Sequence, residues 1–228
     1  MPNSDAEKAI AAAKAVEEVR DGMLVGLGTG STAAYAVKCL SDRVRQGLKV
    51  TAVATSRATE TLARRVGVPL ISFQGLSSID LTIDGADEID HRFRAIKGGG
   101  GALLREKVIA AASTRVIVIV DSSKLVPMLG KFALPVEVVP FATEFVRTRL
   151  AELGARVMHR TIAGTPALTD QSNHILDAAL DEIPKPTEIA AAIAAIPGVV
   201  EHGLFLDEID TIVIGRGDTV EVRHRNRH

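Results

Sequence analysis

Apolar and polar positions along the chain change period repeatedly, and each change marks an element. Residues 5–20 repeat at helical spacing; Ser4 stands where an N-cap would, Glu7 follows as in a capping box, and Gly22 lies just past the expected end. The short apolar run LVGL (24–27) breaks into glycines, and a helical pattern resumes over 31–45. VTAVA (50–54), a helix over 58–66, a short strand at 69–72, DLTID (80–84), a helix over 102–112 and RVIVIVD (115–121) continue the alternation. Apolar strands separated by helices predict a parallel, doubly wound α/β sheet. Past Gly130 the rhythm becomes VEVV, a helix over 143–153, ARVM, HILDAAL, a helix over 187–195 and VVEHGLF. That β-α-β-β-α-β order predicts a ferredoxin-like α+β unit. TIVIG (211–215) reads as a last strand returning to the first sheet. The expected domains are therefore 1–130 with 204–228, and 131–203.

Composition narrows the possibilities. At 228 residues the chain buries enough apolar surface to fold without staples. Its 27 basic and 28 acidic residues leave a net charge of -1, so no global field favours nucleic acid or an acidic membrane surface. The absence of Trp and the single Tyr argue against base-stacking surfaces, and no apolar run reaches the ~20 residues that span a bilayer. One cysteine, Cys39, cannot form an internal disulfide, and the first residues lack the apolar core of a signal peptide. The expectation is a cytoplasmic protein with a small-molecule partner. The terminal RHRNRH reads as a solvated tail.

Candidate chemistry gathers where strands end. GLGTGSTA (26–33) joins the first strand to a helix, so its amides and that helix's N-terminus form a natural anion site. Gly28, Gly30 and Ala33 fit a dinucleotide pattern, but the acidic ribose contact expected after the second strand is replaced by Thr55, Ser56 and Arg57. The hydroxyls of Thr29, Ser31 and Thr32 favour a single phosphate over a dinucleotide or a purely structural turn.

DLTIDGADEID places Asp84 at a strand end and Asp87, Glu88 and Asp90 beyond it, where open α/β sheets bind ligands. Clustered acids need cations or substrate hydroxyls among them; a hydrated acidic loop and a Mg²⁺ site are the alternatives. The spacing does not match an EF-hand, and the only nearby histidine is His91. KGGGGALLREK (97–107) then opens a helix with four glycines. Lys97 adds a cation, and Glu106, early in that helix, either faces the same ligand or forms an ordinary surface ion pair with Arg105 or Lys107. A third strand end carries Asp121, Ser122, Ser123 and Lys124.

In this order, GLGTGSTA, DGADEID, KGGGGALLREK and DSSK resemble the signature segments of the type A ribose-5-phosphate isomerases. The likeness extends through GKFALPVEVVP, AAIPGVVEHGLF and TIVIG, nearly the whole chain. The resemblance implies a Rossmann-like, mostly parallel sheet, a smaller ferredoxin-like domain inserted before the last strand, and a homo-oligomer, dimer or tetramer. It implies interconversion of D-ribose 5-phosphate and D-ribulose 5-phosphate in the non-oxidative pentose phosphate pathway. Thr29, Gly30, Ser31 and Thr32 match the family's substrate loop; Asp84, Gly85, Ala86 and Asp87 match its acidic loop. Lys97, Gly98, Gly99 and Gly100 match its glycine loop, Lys124 a further substrate contact, and Glu106 its proton acceptor. TSRATE, with Ser56 and Arg57, varies from that pattern.

The implied reaction moves a proton between C2 and C1 through an enediolate, which calls for one base facing both carbons. Glu106 is the candidate, with Lys97 and the amides of residues 98–101 stabilising the oxyanion and Asp84 and Asp87 binding sugar hydroxyls. This scheme needs no metal, nucleotide or redox cofactor. Two rivals remain from the residues alone: a sugar-phosphate sensor, which binds without turnover, and an NADP-dependent oxidoreductase.

Overall fold

The computed structural model describes residues 4–226. In chain order its elements begin with α1 (Ser4–Val16), β1 (Leu24–Leu27), α2 (Ser31–Arg45), β2 (Thr51–Ala54), α3 (Arg57–Val66), β3 (Leu81–Asp84), β4 (Glu88–Ile89) and β5 (Ala95–Ile96). Next come α4 (Leu103–Ala111), β6 (Val116–Asp121), β7 (Leu134–Val138), α5 (Thr143–Glu152), β8 (Arg156–His159), β9 (Thr161–Ile162) and β10 (Thr165–Pro166). The series closes with β11 (His174–Ala179), α6 (Pro186–Ala194), β12 (Val199–His202), β13 (Leu204–Phe205), β14 (Thr211–Arg216) and β15 (Thr219–His224). The chain divides into two compact units: one takes the described residues up to Ala86, 105–125 and those from Asp207 on, and the other takes 87–104 and 126–206.

The first unit is built on a six-stranded sheet ordered β15-β14-β6-β3-β1-β2, parallel except for the β14–β15 hairpin. Both faces of its central strands are covered: every residue of LTID and VIVIVD is buried, and VIVIV accordingly reads as an unbroken apolar run. Alanine-rich α1 and α2 bury Ala11, Ala15, Ala36 and Leu40 in one cluster with Leu27, Ile83, Ile117 and Val213. A fully buried aliphatic side chain of this kind contributes about 1.5–3 kcal/mol. From β1 the chain winds out to β2 and returns to β3 on the other side of β1. The winding therefore reverses between β1 and β3, and the crevice at their carboxyl ends is where sheets of this type take ligands.

The second unit carries a four-stranded antiparallel sheet ordered β12-β7-β11-β8, with β7, β8, β11 and β12 alternating with α5 and α6 as the ferredoxin-like pattern requires. Val146, Leu150 and Ile193 of the helices bury against Leu134, Val136 and Leu176 of the sheet. A small sheet, β13-β5-β4, and the β9–β10 hairpin complete this unit.

Several expectations are corrected. Residues 87–104 were expected with the parallel sheet, and 126–130 and 204–206 with the first domain, but all cluster with the second unit. The reason is backbone pairing: Ala95 and Ile96 pair with Phe205 and Leu204, strands too short to leave an apolar run in the sequence. The 69–72 strand is reduced to a single parallel bridge, Ala52 to Leu70. Ser4 lies inside α1 rather than capping it, and Glu7 faces the interior at 2% exposure. Arg223 and His224, read as a solvated tail, belong to β15; the last two residues lie outside those described.

Candidate active site

In the first unit the loop between β1 and α2 is pulled onto the end of β3. The Gly28 amide donates to the Ile83 carbonyl (2.9 Å), and a side chain at position 28 would place its Cβ 2.0 Å from the Asp84 carboxylate. Only glycine allows that approach. Asp84, 2% exposed, accepts from the amides of Thr29 (3.0 Å) and Gly85 (2.7 Å) through Oδ1. Gly30 turns the chain into α2 at φ 104°, which leaves Ser31 exposed and Thr32 buried in the first helical turn. The first-turn amides of α2 have no side-chain cap, so this end presents donors and positive potential to an anion.

Thr29 does not share in that display. Its hydroxyl lies 2.7 Å from Thr55 Oγ1, 2.8 Å from Ser56 Oγ and 3.2 Å from Thr59 Oγ1, while Thr59 Oγ1 donates to the Gly28 carbonyl at 2.8 Å. Ser56 also caps α3 by accepting from the Thr59 amide at 3.1 Å. The segment TSRATE thus anchors the loop from below, a role the sequence left open for Ser56.

Glu106 is the fourth residue of α4 and is 4% exposed, so an exposed ion pair with a sequence neighbour is not its setting. Lys124 ends the turn Ser122–Lys124 after β6. Two buried carboxylates hold that turn. Asp121 Oδ1 accepts from the Ser123 amide at 3.0 Å, and Glu7 Oε2 accepts from the Ser122 amide (2.9 Å) and hydroxyl (2.8 Å). Glu7 Oε1 accepts from the Gly217 amide at 2.8 Å. That amide, with the Ser122 amide and hydroxyl, holds the Glu7 carboxyl below its ordinary range.

In the second unit the rest of the acidic loop meets the glycine loop. The Gly99 amide donates to Asp87 Oδ2 at 2.8 Å, and the Gly101 amide closes a turn on the Gly98 carbonyl at 2.9 Å. Lys97 is 3% exposed, with its ammonium 5.3 Å from the Phe205 ring centroid, a cation–π distance. Glu88 and Asp90 leave the candidate cluster. Glu88 accepts from the amides of Gly130 (2.8 Å) and Phe132 (2.6 Å); Asp90 accepts from the Arg92 and Arg94 amides and pairs with the Arg94 guanidinium. Each of the four acids is thus held by its own donors, so neither a hydrated loop nor a bare carboxylate cluster describes the segment. Among the described residues no group of three or more His, Cys, Asp or Glu is placed to hold a metal ion.

The family model of ribose 5-phosphate isomerase A (phosphoriboisomerase A) matches residues 51–219. Ribose-5-phosphate isomerase A of Sphingopyxis alaskensis is 76% identical over 225 residues, 99% of each chain. The chain belongs to the ribose 5-phosphate isomerase A family. Two solved ribose 5-phosphate isomerases share its fold. One, in complex with phospho-erythronic acid, is 36% identical with a TM-score of 0.95 over 98% of this chain and all of that one. The other, from Plasmodium falciparum, is 38% identical with a TM-score of 0.94 over the same shares.

Within this chain, the supports are what sequence reasoning missed. DSSK carries a readable signal, since Asp before two serines favours a side-chain cap on the following amide. Glu7 carries none, because its partners lie 115 and 210 positions away. Arg160, which grips the glycine loop, lies 62 and 61 positions from Gly98 and Gly99, and Asp177, which holds Arg160, lies 17 positions further on.

Proposed function

We propose that Glu106 carries the proton between C2 and C1 as this chain interconverts D-ribose 5-phosphate and D-ribulose 5-phosphate, the aldose–ketose isomerisation of its family. The observation that supports this most is a glutamate held at 4% exposure on α4, inside the segment that matches the family's proton acceptor. A carboxylate largely withdrawn from bulk water has shed most of its hydration shell and meets the substrate directly. Asp84 and Asp87 bind sugar hydroxyls and assist ring opening. Charge that grows on the substrate oxygen during abstraction is met by the Lys97 ammonium and by the amide of Gly100. Of the amides over 98–101, that of Gly99 is engaged by Asp87 and that of Gly101 by the Gly98 carbonyl, which narrows the oxyanion donors to fewer than the sequence suggested.

Gly30, Ser31 and Thr32 of the substrate loop at the start of α2, with Lys124, take the phosphate, while Thr29 supports the loop through Thr55, Ser56 and Thr59. Binding energy from that remote group holds the reacting carbons against the base. The phospho-erythronic acid held by the solved relative is an acid phosphate whose carboxylate carries charge on paired oxygens, as an enediolate does. That likeness supports an enediolate route. We further propose a homo-oligomer acting in the cytoplasm.

The test is turnover in heavy water. Purified protein given ribose 5-phosphate forms ribulose 5-phosphate and exchanges the C2 proton with solvent, while Glu106→Gln does neither at a comparable rate. Exchange by the variant at more than about a tenth of the normal rate, where loss of a base costs ~10²-fold or more, would assign the base elsewhere, first to Asp84 or Asp87.

A further inference from the structure

The glycine loop is gripped from its carbonyl side. Arg160 Nη1 donates to the carbonyls of Gly98 and Gly99, 3.0 Å each, while its Nε donates to Asp177 Oδ2 at 2.9 Å and its Nη2 pairs with Asp177 Oδ1. Arg160 leaves β8 and Asp177 lies on β11, neighbours in the antiparallel sheet, where the Arg160 amide donates to the Ile175 carbonyl at 2.9 Å. The side chains of the pair are only 18% and 23% exposed, so the grip is shielded from solvent. A surface ion pair contributes little, but a bidentate guanidinium–carboxylate pair with a remaining nitrogen on two carbonyls fixes geometry.

In a trans peptide the C=O and N–H point in opposite directions. With the Gly98 and Gly99 carbonyls turned to Arg160, the amides of Gly99 and Gly100 must turn away from it. The first outcome is visible: the Gly99 amide meets Asp87 at 2.8 Å. Gly100 is exposed, and its amide leaves on the same side. Glycines hold no such orientation by themselves, since φ is 100° at Gly98 and 75° at Gly101 and nothing but hydrogen bonds resists rotation of the planes between them. A cation on the carbonyl side also polarises both peptides and strengthens their N–H groups as donors.

We propose that Arg160, held by Asp177, is a positioning residue for isomerisation: it orients the 98–99 and 99–100 peptide planes so that the Gly100 amide meets the substrate oxygen on which charge develops and Asp87 stays in place. This rests on the reading of the glycine loop as the oxyanion-stabilising segment. Lysine cannot substitute, because one ammonium cannot serve two carbonyls and a carboxylate in this fork geometry.

The experiment compares Arg160→Gln, Arg160→Lys and Asp177→Asn with the parent in steady-state kinetics and in inhibition by two probes. These are phospho-erythronic acid, which bears the carboxylate charge, and ribitol 5-phosphate, which does not. Kcat falls about 10- to 100-fold in the two arginine variants and less in Asp177→Asn, with KM changed little, and lysine gives no rescue. Inhibition by phospho-erythronic acid weakens in parallel, while that by ribitol 5-phosphate stays within about twofold. Equal weakening of both probes, or full kcat in either arginine variant, overturns the proposal. If Arg160→Gln does not fold, Asp177→Asn decides by the same pair of probes. Failure of the underlying reading is distinguishable: the parent itself would then bind phospho-erythronic acid no more tightly than ribitol 5-phosphate, whatever Arg160 does.

Discussion

Glu106 and its amide counterpart differ in one capacity, the taking of a proton. Glu106→Gln keeps volume and most hydrogen-bonding shape at a site 4% exposed, so folding and KM should change little. Kcat should fall by roughly 10²–10⁴-fold, the usual worth of general-base catalysis. An exposed ion pair would instead contribute about 0–1 kcal/mol to stability and nothing to rate. Steady-state kinetics of the folded variant decides between these. Ser31 makes a second residue-scale case. Its exposed hydroxyl starts α2 beside the uncapped amides, whereas the Thr29 hydroxyl is turned into the Thr55, Ser56 and Thr59 group. Ser31→Ala should therefore cost ~1.5–3 kcal/mol in kcat/KM for ribose 5-phosphate, the scale of a hydrogen bond to a charged group. Turnover of unphosphorylated ribose should be unaffected, and equal losses for both would show that the hydroxyl does not meet the phosphate.

Between elements, the junction of β1, α2 and α3 carries most of the local design. Ser56 caps α3 and supports Thr29, so one side chain links a helix start to the substrate loop. Ser56→Ala removes both at a site 5% exposed. The lost cap alone costs typically ~1 kcal/mol, and the Thr29 hydroxyl keeps only its threonine neighbours. Urea denaturation should show a stability loss of about 1–2 kcal/mol. Kinetics should show a larger KM for ribose 5-phosphate, because the phosphate loop has lost an anchor. A stability loss with unchanged KM would confine Ser56 to capping.

At the scale of the whole chain, Glu7 joins three distant stretches: α1, the turn after β6, and the β14–β15 hairpin through Gly217. Amides and a hydroxyl hold its carboxyl below the ordinary glutamate value of 4.5. A depressed folded-state pKa contributes stability that is fully present above 4.5 and is lost as pH falls through the folded value. Glu7→Gln brings an amide N–H against donors that want an acceptor, so at neutral pH its melting temperature should lie below the parent's. The gap should narrow as pH falls below about 4.5, since the parent alone loses this contribution. Melting curves from pH 7 down to pH 3 check this, and a gap constant with pH would remove Glu7 from the acid response.

Periodicity alone determined the alternating strands and helices and the β-α-β-β-α-β run, because burying both faces of a parallel sheet demands continuous apolar strands and burying one face demands alternation. The anion-friendly loop at α2 was legible for a similar local reason, since glycines and hydroxyls at a strand-to-helix junction state their purpose within eight residues. Only the tertiary structure decided which polar side chains serve as supports. It drew Glu88 away from the acidic cluster onto the amides of Gly130 and Phe132, and it buried Glu7 against partners more than a hundred residues distant. It also moved residues 87–104 into the second unit and set Arg160 beneath Gly98 and Gly99. These outcomes depend on hydrogen bonds between segments far apart in the chain. Such bonds leave no periodic trace, because a single donor or acceptor needs only one partner at about 3 Å, and sequence order does not say which residue comes that close.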